Sequence, residues 1–226
     1  MEDKALFIEE YFNRWRRDID KASELLVNNR YHLEGLLVLS CYLGAFASMR
    51  LNTLRDGEAY VKVLIEYSGK REFYEQIDLL FFYQWPRSKL RDHGSYKALK
   101  NYSEIVDVLK GIYGSEDDIK VGPRYVSQSE VIGYVLSAAI PNFDEQNFRS
   151  TLDLFSLAEL LYRYLRCGAV HNAEFPFVNE SIDVYGNITY EENHAITGQV
   201  LLETTEGVFK NLRDECLAKV KWPHEL

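Results

Sequence analysis

The sequence predicts a mainly α-helical protein, arranged as an up-and-down helical bundle. Three long stretches, 3–28, 31–51 and 195–220, each repeat apolar residues at the three- and four-residue spacing of one helix face. With 226 residues, of which 46% are hydrophobic and 27% charged, the chain suits one globular domain with a substantial core. We therefore predict a single domain over 1–226, into which residues 86–142 are inserted as additional helices.

The first two helices are predicted to have distinct features, a basic outer face on 3–28 and an inner face of small residues on 31–51. The outer face of 3–28 carries Arg14, Arg16 and Arg17, the densest basic patch of the chain, for which a solvated helix face is a commoner explanation than a phosphate site. The inner face of 31–51 contains small residues that let another helix approach closely, so we expect it to be the central helix. Its predicted inward residues are Leu33, Leu36, Leu37, Ser40, Cys41, Gly44, Ala47, Ser48 and Leu51.

The middle of the chain is predicted to contain shorter elements. Residues 55–58 form a turn, and 59–82 form a third helical region that the Ser-Gly pair at 68–69 interrupts. A Trp-Pro pair at 85–86 ends this region, because the residue before a proline is disfavoured in helical geometry. The insertion is predicted to contain, in order, a helix over 95–113, a polar turn over 114–118, an extended piece over 121–125 and a short helix over 129–140.

The candidate functional residues lie at the end of one apolar helix. Residues 160–172 read Leu-Leu-Tyr-Arg-Tyr-Leu-Arg-Cys-Gly-Ala-Val-His-Asn and are predicted to present Arg166, His171 and Asn172 together. Ser150, with an aspartate three residues later, is a candidate capping residue at the start of this motif helix. The predicted buried stripe consists of Leu154, Leu157, Ala158, Leu161, Leu165 and Ala169.

The spacing within the motif helix requires a distortion if the candidate residues are to act together. On a regular helix Arg166 and His171 lie about 140° apart, since each residue turns the helix by about 100°. Gly168 lies between them and lowers helix stability by on the order of 1 kcal/mol relative to alanine. We therefore expect the helix to deform at Gly168, which would bring the guanidinium and the imidazole to one phosphate or carboxylate.

A small β-hairpin is predicted after the motif helix. Residues 181–185 and 188–190 alternate apolar and polar side chains around Gly186-Asn187, a pair typical of a two-residue hairpin turn. The predicted closing helix over 195–220 comes directly after it.

Composition and charge limit the classes of function. The formal net charge of −9 and the pI near 5.1 argue against duplex DNA as a partner. The longest apolar run, 35–49, is short and rich in small residues, so we predict no membrane span, and the first residues do not suggest a signal peptide. Cys41, Cys167 and Cys216 show no paired spacing, which indicates reduced thiols and a cytoplasmic location.

Neither a metal site nor a bound cofactor is predicted. The remaining histidines, His32, His93, His194 and His224, are scattered, and no two of them have the spacing of metal ligands.

The motif string resembles the motif helix of the HEPN domain family, in particular that of uncharacterised bacterial HEPN-like proteins. The resemblance rests on an arginine, four intervening residues and a histidine at the end of a hydrophobic helix, with Cys-Gly after the arginine and Asn after the histidine. It covers this helix closely and the remaining chain as a pattern of helices. A motif helix, a hairpin and a closing helix are also similar to the layout of the family.

The resemblance implies an RNA-directed protein, and specifically a metal-independent endoribonuclease of a bacterial defence or toxin–antitoxin system that acts as a homodimer. Arg166 would be the phosphate clamp, because arginine stays charged and can bind two phosphate oxygens. His171 would be the general acid or base, since histidine titrates near neutral pH, and Asn172 would orient it. Attack of a ribose 2′-hydroxyl on the adjacent phosphate would leave a 2′,3′-cyclic phosphate. The motifs of two subunits facing each other would supply a second histidine and arginine.

Two positions depart from the family pattern. Cys167 stands where family members commonly have Asn, Asp or His directly after the arginine, which weakens the expectation of catalysis. Ala173 stands where some toxins of this family have a tyrosine that a nucleotidyltransferase antitoxin modifies, so that form of regulation is not expected. An antitoxin protein is still a candidate partner.

The same residues allow other interpretations. The chain could be a non-catalytic HEPN-like interaction or ligand-binding module that uses the Arg/His pocket for an anion. Arg166 and His171 could equally stabilise the helix C-terminus or pair with an acidic residue of a neighbouring helix. Cys167 and His171, four residues apart, could form a nucleophile pair, although a cysteine in an apolar helix is more often a buried structural thiol. A nuclease requires the pair exposed in a groove, and a structural pair would be buried against a carboxylate.

Overall fold

A computed structural model of the chain describes residues 2–27, 31–85, 99–168, 177–182, 184–186 and 188–226. The prediction of a mainly α-helical fold is confirmed, with two small antiparallel sheets of two strands each. The helices are α1 (Glu2–Val27), α2 (His32–Arg50), α3 (Asp56–Tyr67), α4 (Arg71–Tyr74), α5 (Leu79–Gln84), α6 (Tyr102–Tyr113), α7 (Glu116–Val121), α8 (Gln128–Ser137), α9 (Glu145–Leu152), α10 (Leu157–Leu160) and α11 (Gly198–Lys219). The strands are β1 (Gln76–Asp78), β2 (Tyr125–Ser127), β3 (Val178–Ile182) and β4 (Ile188–Glu192), and a π-helical segment spans Leu161–Gly168.

The chain divides into two compact units. The first contains Met1–Arg71 and Leu161–Leu226, and the second contains Glu72–Leu160. The predicted insertion, 86–142, therefore lies inside a longer stretch that packs on itself. The sequence-based prediction of one domain over 1–226 stays a prediction.

The first unit is a helical bundle with α2 at its centre. α2 contacts α1, α3, α11 and the π-helical segment, as predicted for the central helix. By length and composition alone, α2 is the one helix in the described part of the chain that could cross a membrane. Of its most apolar stretch of 18 residues, 44% is buried inside the protein. A single helix of this length and composition does not establish a membrane span, because the core helix of a globular bundle passes the same test.

The predicted inner face of α2 is correct for one row of residues and wrong for another. Leu36, Ser40 and Ala47 are buried as expected, but Cys41 and Ser48 are exposed. These two lie about 100° around the helix from Ser40 and Ala47, beyond the face that α1, α3 and α11 cover.

The second unit has its own hydrophobic core. Asp78, which is fully buried, accepts a hydrogen bond from the backbone N–H of Phe81 at the start of α5 and pairs with both Nε and Nη2 of Arg124 at 2.7–3.0 Å. A buried carboxylate requires such partners, because burial without them is strongly unfavourable. The core includes Ile77, Leu79, Phe82, Trp85, Ile105, Leu109, Ile119, Val131, Phe148, Leu152 and Phe155.

Several predicted boundaries in the middle of the chain are wrong. The predicted turn at 55–58 is the first turn of α3, which begins at Asp56, and the extended piece predicted at 121–125 instead begins at Tyr125. The predicted interruption at 68–69 is confirmed, since α3 ends at Tyr67, but the region is also broken at residues 76–78, which form β1 and pair with β2. Pairing with a distant strand cannot be read from local periodicity.

The motif helix and the hairpin also differ from the prediction. Ser150 lies inside α9 and donates its hydroxyl to the carbonyl of Asn147 at 3.0 Å, while Ser156 accepts the backbone N–H of Glu159 at the start of α10. The hairpin has the predicted place in the chain, but Ile182 pairs with Ile188, so five residues separate the paired strands along the chain, of which Asp183 and Asn187 lie outside the described residues.

Candidate functional site

The motif helix is deformed along a whole segment. After α10, residues Leu161–Gly168 form a π-helix, in which each N–H bonds to the carbonyl five residues earlier. π-Helical turns are rare and occur frequently at functional sites. The helix is therefore distorted from Leu161 onward, before Arg166, whereas the stretch between Gly168 and His171, where the distortion was expected, lies outside the described residues. The predicted stripe is buried at Leu157, Ala158, Leu161 and Leu165 and half-buried at Leu154.

The guanidinium of Arg166 is held by an acidic residue of a neighbouring helix. Its Nη1 lies 3.0 Å from Oδ2 of Asp56, in the first turn of α3. The Arg166 side chain is 24% exposed and that of Asp56 is 47% exposed, so the pair is accessible to solvent. Its Nε packs against Gly44 of α2, at an ordinary 3.6 Å from the place where a Cβ at that position would be.

Tyr162, one turn before Arg166, completes the contact with α3. Its hydroxyl donates to Oδ2 of Asp56 at 3.3 Å, and its ring lies 5.8 Å from the Arg166 guanidinium carbon. The ring also packs 5.4 Å from the ring of Tyr60. A Cβ at Gly57 would lie only 2.7 Å from Cε1 of Tyr162, so a larger residue at this position would push the ring away.

These side chains influence one another's protonation. Burial raises the pKa of Tyr162 to about 12, and the neighbouring Cys167 and Asp56 act in the same direction. Burial disfavours the charged form of Arg166, but Asp56 and Cys167 outweigh it and raise the pKa of the guanidinium. The Arg166 cluster, defined as Arg166, Asp56, Tyr162 and Cys167, therefore keeps a permanent cation beside a neutral phenol at physiological pH.

An arginine can pair with more than one kind of anion. Ion pairs on the exposed surface contribute about 0–1 kcal/mol, and Asp56 is the more exposed partner of this pair. A phosphate offers the guanidinium more than one acceptor oxygen and a larger charge. The Arg166 guanidinium therefore has the chemistry to bind an anion and is paired here with a carboxylate.

The structure describes only part of the predicted site. Arg166 is placed as described, whereas His171 and Asn172, together with Ala169 and Ala173, lie outside the described residues. Asp56 and Tyr162 were not singled out in the sequence. A signal for Asp56 does exist there, since an acidic residue followed by another at Glu58 is typical of the first turn of a helix.

One arginine of the basic patch on α1, Arg16, makes contacts that explain its presence. Arg16 pairs with Glu206 at 3.0 Å and lies over the ring of Phe209 at 4.8 Å. Arg14 and Arg17 are exposed on the outer face of α1. A solvated helix face, as the sequence favoured, fits these contacts.

Within the described parts of the chain, no group of three or more His, Cys, Asp and Glu side chains is placed to hold a metal ion. No protein-family profile matches this chain, and neither a curated protein nor a solved structure matches it significantly.

Proposed function

We propose that this protein is a cytoplasmic, RNA-directed protein of the HEPN type that acts as a homodimeric, metal-independent endoribonuclease. The observation that carries the proposal is the Arg166 guanidinium, which is partly exposed, is held at 3.0 Å by an exposed carboxylate and lies five residues before His171. A defence or toxin–antitoxin role, with an antitoxin as the protein partner, is proposed on the same resemblance.

The proposed reaction uses the motif residues in distinct roles. His171, or its copy in a second subunit, takes the proton from a ribose 2′-hydroxyl, and the 2′-oxygen attacks the adjacent phosphorus. The bond from phosphorus to the 5′-oxygen breaks, and the other histidine protonates that leaving oxygen. Arg166 leaves Asp56 and binds the phosphate oxygens that gain charge in the transition state. Asn172 orients the imidazole. The products are a 2′,3′-cyclic phosphate and a 5′-hydroxyl.

The test is cleavage of a mixed RNA by the purified protein in EDTA, with analysis of the product ends. We expect cyclic-phosphate products from the wild type, their loss in His171→Ala and a fall of about 10²–10⁴-fold in Arg166→Ala. Arg163→Ala, which removes an arginine one turn earlier, is the matched control and should cleave normally. Cleavage that survives in His171→Ala would overturn the proposal.

A non-catalytic module that binds an anion is the second candidate. The observation in its favour is that Asp56 already satisfies the guanidinium, as expected for a structural or regulated pair, while Cys167 occupies the position after the arginine. Saturable binding of a short RNA that depends on Arg166, without any cleavage, would support this candidate over the nuclease.

A further inference from the structure

The hairpin β3–β4 carries an exposed apolar end. Ile182 is 72% exposed and pairs across the hairpin with Ile188, which is 45% exposed. The connection adds Val184 at 93% and Tyr185 at 87% exposure. Four large apolar side chains are therefore exposed within one small element, and clusters of exposed apolar side chains mark interaction sites on proteins.

The base of the same hairpin is anchored on the bundle of the first unit. The ring of His32, at the start of α2, stacks on Tyr190 with centroids 5.5 Å apart, and its Nε2 lies 3.2 Å from Oε1 of Glu192. Glu192 also accepts the backbone N–H of Gly198 at the start of α11. The exposed end therefore belongs to a hairpin with a fixed base, which reduces the entropy lost when a partner binds.

Within the described residues β3 is an edge strand of this sheet, and it is the more exposed of its two strands. Its residues Asn179–Ile182 are all exposed, whereas Thr189 and Tyr190 in the middle of β4 are half-buried. Among the described residues the sheet consists of β3 and β4, so no third strand there uses the outer backbone groups of β3. Such an edge can pair with an extended segment of another protein.

The negative charge around these apolar side chains indicates which class of partner could bind there. The stretch 177–193 contains four acidic residues and no Lys or Arg. Glu180 shares the Ile182 face of β3, and burial together with the nearby Glu180 and Glu34 carboxylates raises the pKa of Tyr190. Phosphate backbones and anionic lipid surfaces would be repelled here, and a second copy of the hairpin would bring like charges together.

We propose that the β3 edge and the apolar end of this hairpin dock an extended, basic and apolar segment of a partner protein. The segment adds a strand beside β3. On one face it places a Lys or Arg near Glu180 and, two residues away, an apolar side chain near Ile182, because alternate residues of a strand share a face. This surface is independent of the Arg166 cluster and of the proposed nuclease activity.

The experiment uses the full chain and a fluorescently labelled peptide that repeats Lys-Thr-Val-Thr, so that Lys and Val alternate on one face. Binding is followed by fluorescence anisotropy at physiological salt. We expect saturable binding, no binding of the same peptide with Glu in place of Lys, and a Kd at least about tenfold weaker in Ile182→Ser/Ile188→Ser. Val121→Ser, which changes a side chain 91% exposed elsewhere, is the control and should bind as the wild type does.

Three outcomes would overturn the proposal. If the peptide does not bind, the hairpin is not a docking surface for a segment of this kind. Equal binding by wild type and Ile182→Ser/Ile188→Ser would assign the attraction to the net charge of −9. Self-association in sedimentation that disappears in Ile182→Ser/Ile188→Ser would assign the surface to a second copy of this chain.

Discussion

Arg166, at the end of the π-helical segment, forms an ion pair with Asp56, at the first turn of α3, across a distance of 3.0 Å. Any phosphate that binds Arg166 must compete with this carboxylate. Asp56→Asn should therefore tighten binding of a short RNA by about two- to fivefold, the range that corresponds to an accessible ion pair. Titration of labelled RNA at fixed salt measures the effect.

Glu58→Gln is the matched control for this change. It removes one carboxylate from the same turn of α3, where Glu58 pairs with Arg55 on the exposed surface. RNA affinity should stay at the wild-type value in this variant. If Glu58→Gln and Asp56→Asn tighten binding equally, the effect is one of net charge, and Asp56 does not compete for Arg166.

Two glycines beside the Arg166 cluster should respond oppositely to alanine. A Cβ at Gly57 would lie 2.7 Å from Tyr162 and force its ring away from Asp56, whereas a Cβ at Gly44 would meet Arg166 at an ordinary 3.6 Å. Gly44 lies in the interior of α2, where alanine is favoured by about 1 kcal/mol. Gly44→Ala should stabilise the protein or leave it unchanged, and Gly57→Ala should destabilise it by about 1–3 kcal/mol, measured by urea unfolding. Equal midpoints would contradict the close packing of Tyr162.

The buried ion pair of the second unit should be far more important than an exposed one. Arg124→Ala leaves the fully buried carboxylate of Asp78 without its cation and should lower the free energy of unfolding by about 3–5 kcal/mol. Arg149→Ala breaks an exposed pair with Glu145 and should cost at most about 1 kcal/mol. Urea unfolding followed by circular dichroism compares the two. Similar losses would show that Asp78 finds other partners.

The raised pKa of Tyr67 predicts that the protein becomes less stable at alkaline pH. Burial, and then the hydrogen bond that it donates to Glu215 at 2.5 Å, raise its pKa from 10.0 to about 12, although Arg50 opposes this. A pKa that is higher in the folded state means a contribution that is complete below pH 10 and is lost as the pH rises toward 12.

The measurement is the urea midpoint of wild type and Tyr67→Phe at several values of pH between about 9 and 11, which bracket the unfolded-state pKa. The free energy of unfolding of the wild type should fall more steeply above pH 10 than that of the variant, by about 1.4 kcal/mol at pH 11. Parallel curves would mean that Tyr67 titrates alike in the folded and unfolded chain.

The mainly α fold and its longest helices were predictable from the sequence, because periodic burial over about twenty residues is a strong local signal. α1, α2 and α11 lie close to their predicted positions, and Leu157, Leu161 and Leu165 are buried as the motif pattern requires. The central place of α2 was predictable from its small residues. In each of these cases the information is contained in neighbouring residues of one helix.

Only the tertiary structure decided the partners of these elements. Asp56 reads locally as part of a turn, and its pairing with Arg166 exists because α3 and the π-helical segment both pack on α2. β1 and β2 are three residues each, too short to be distinguished by pattern, and they form because they pair with each other. The sequence by itself determined where the longest helices lie, most of their buried positions and the order of the charges along them. Which distant side chain meets which charge was set by packing, since such contacts join residues whose separation along the chain carries no local signal.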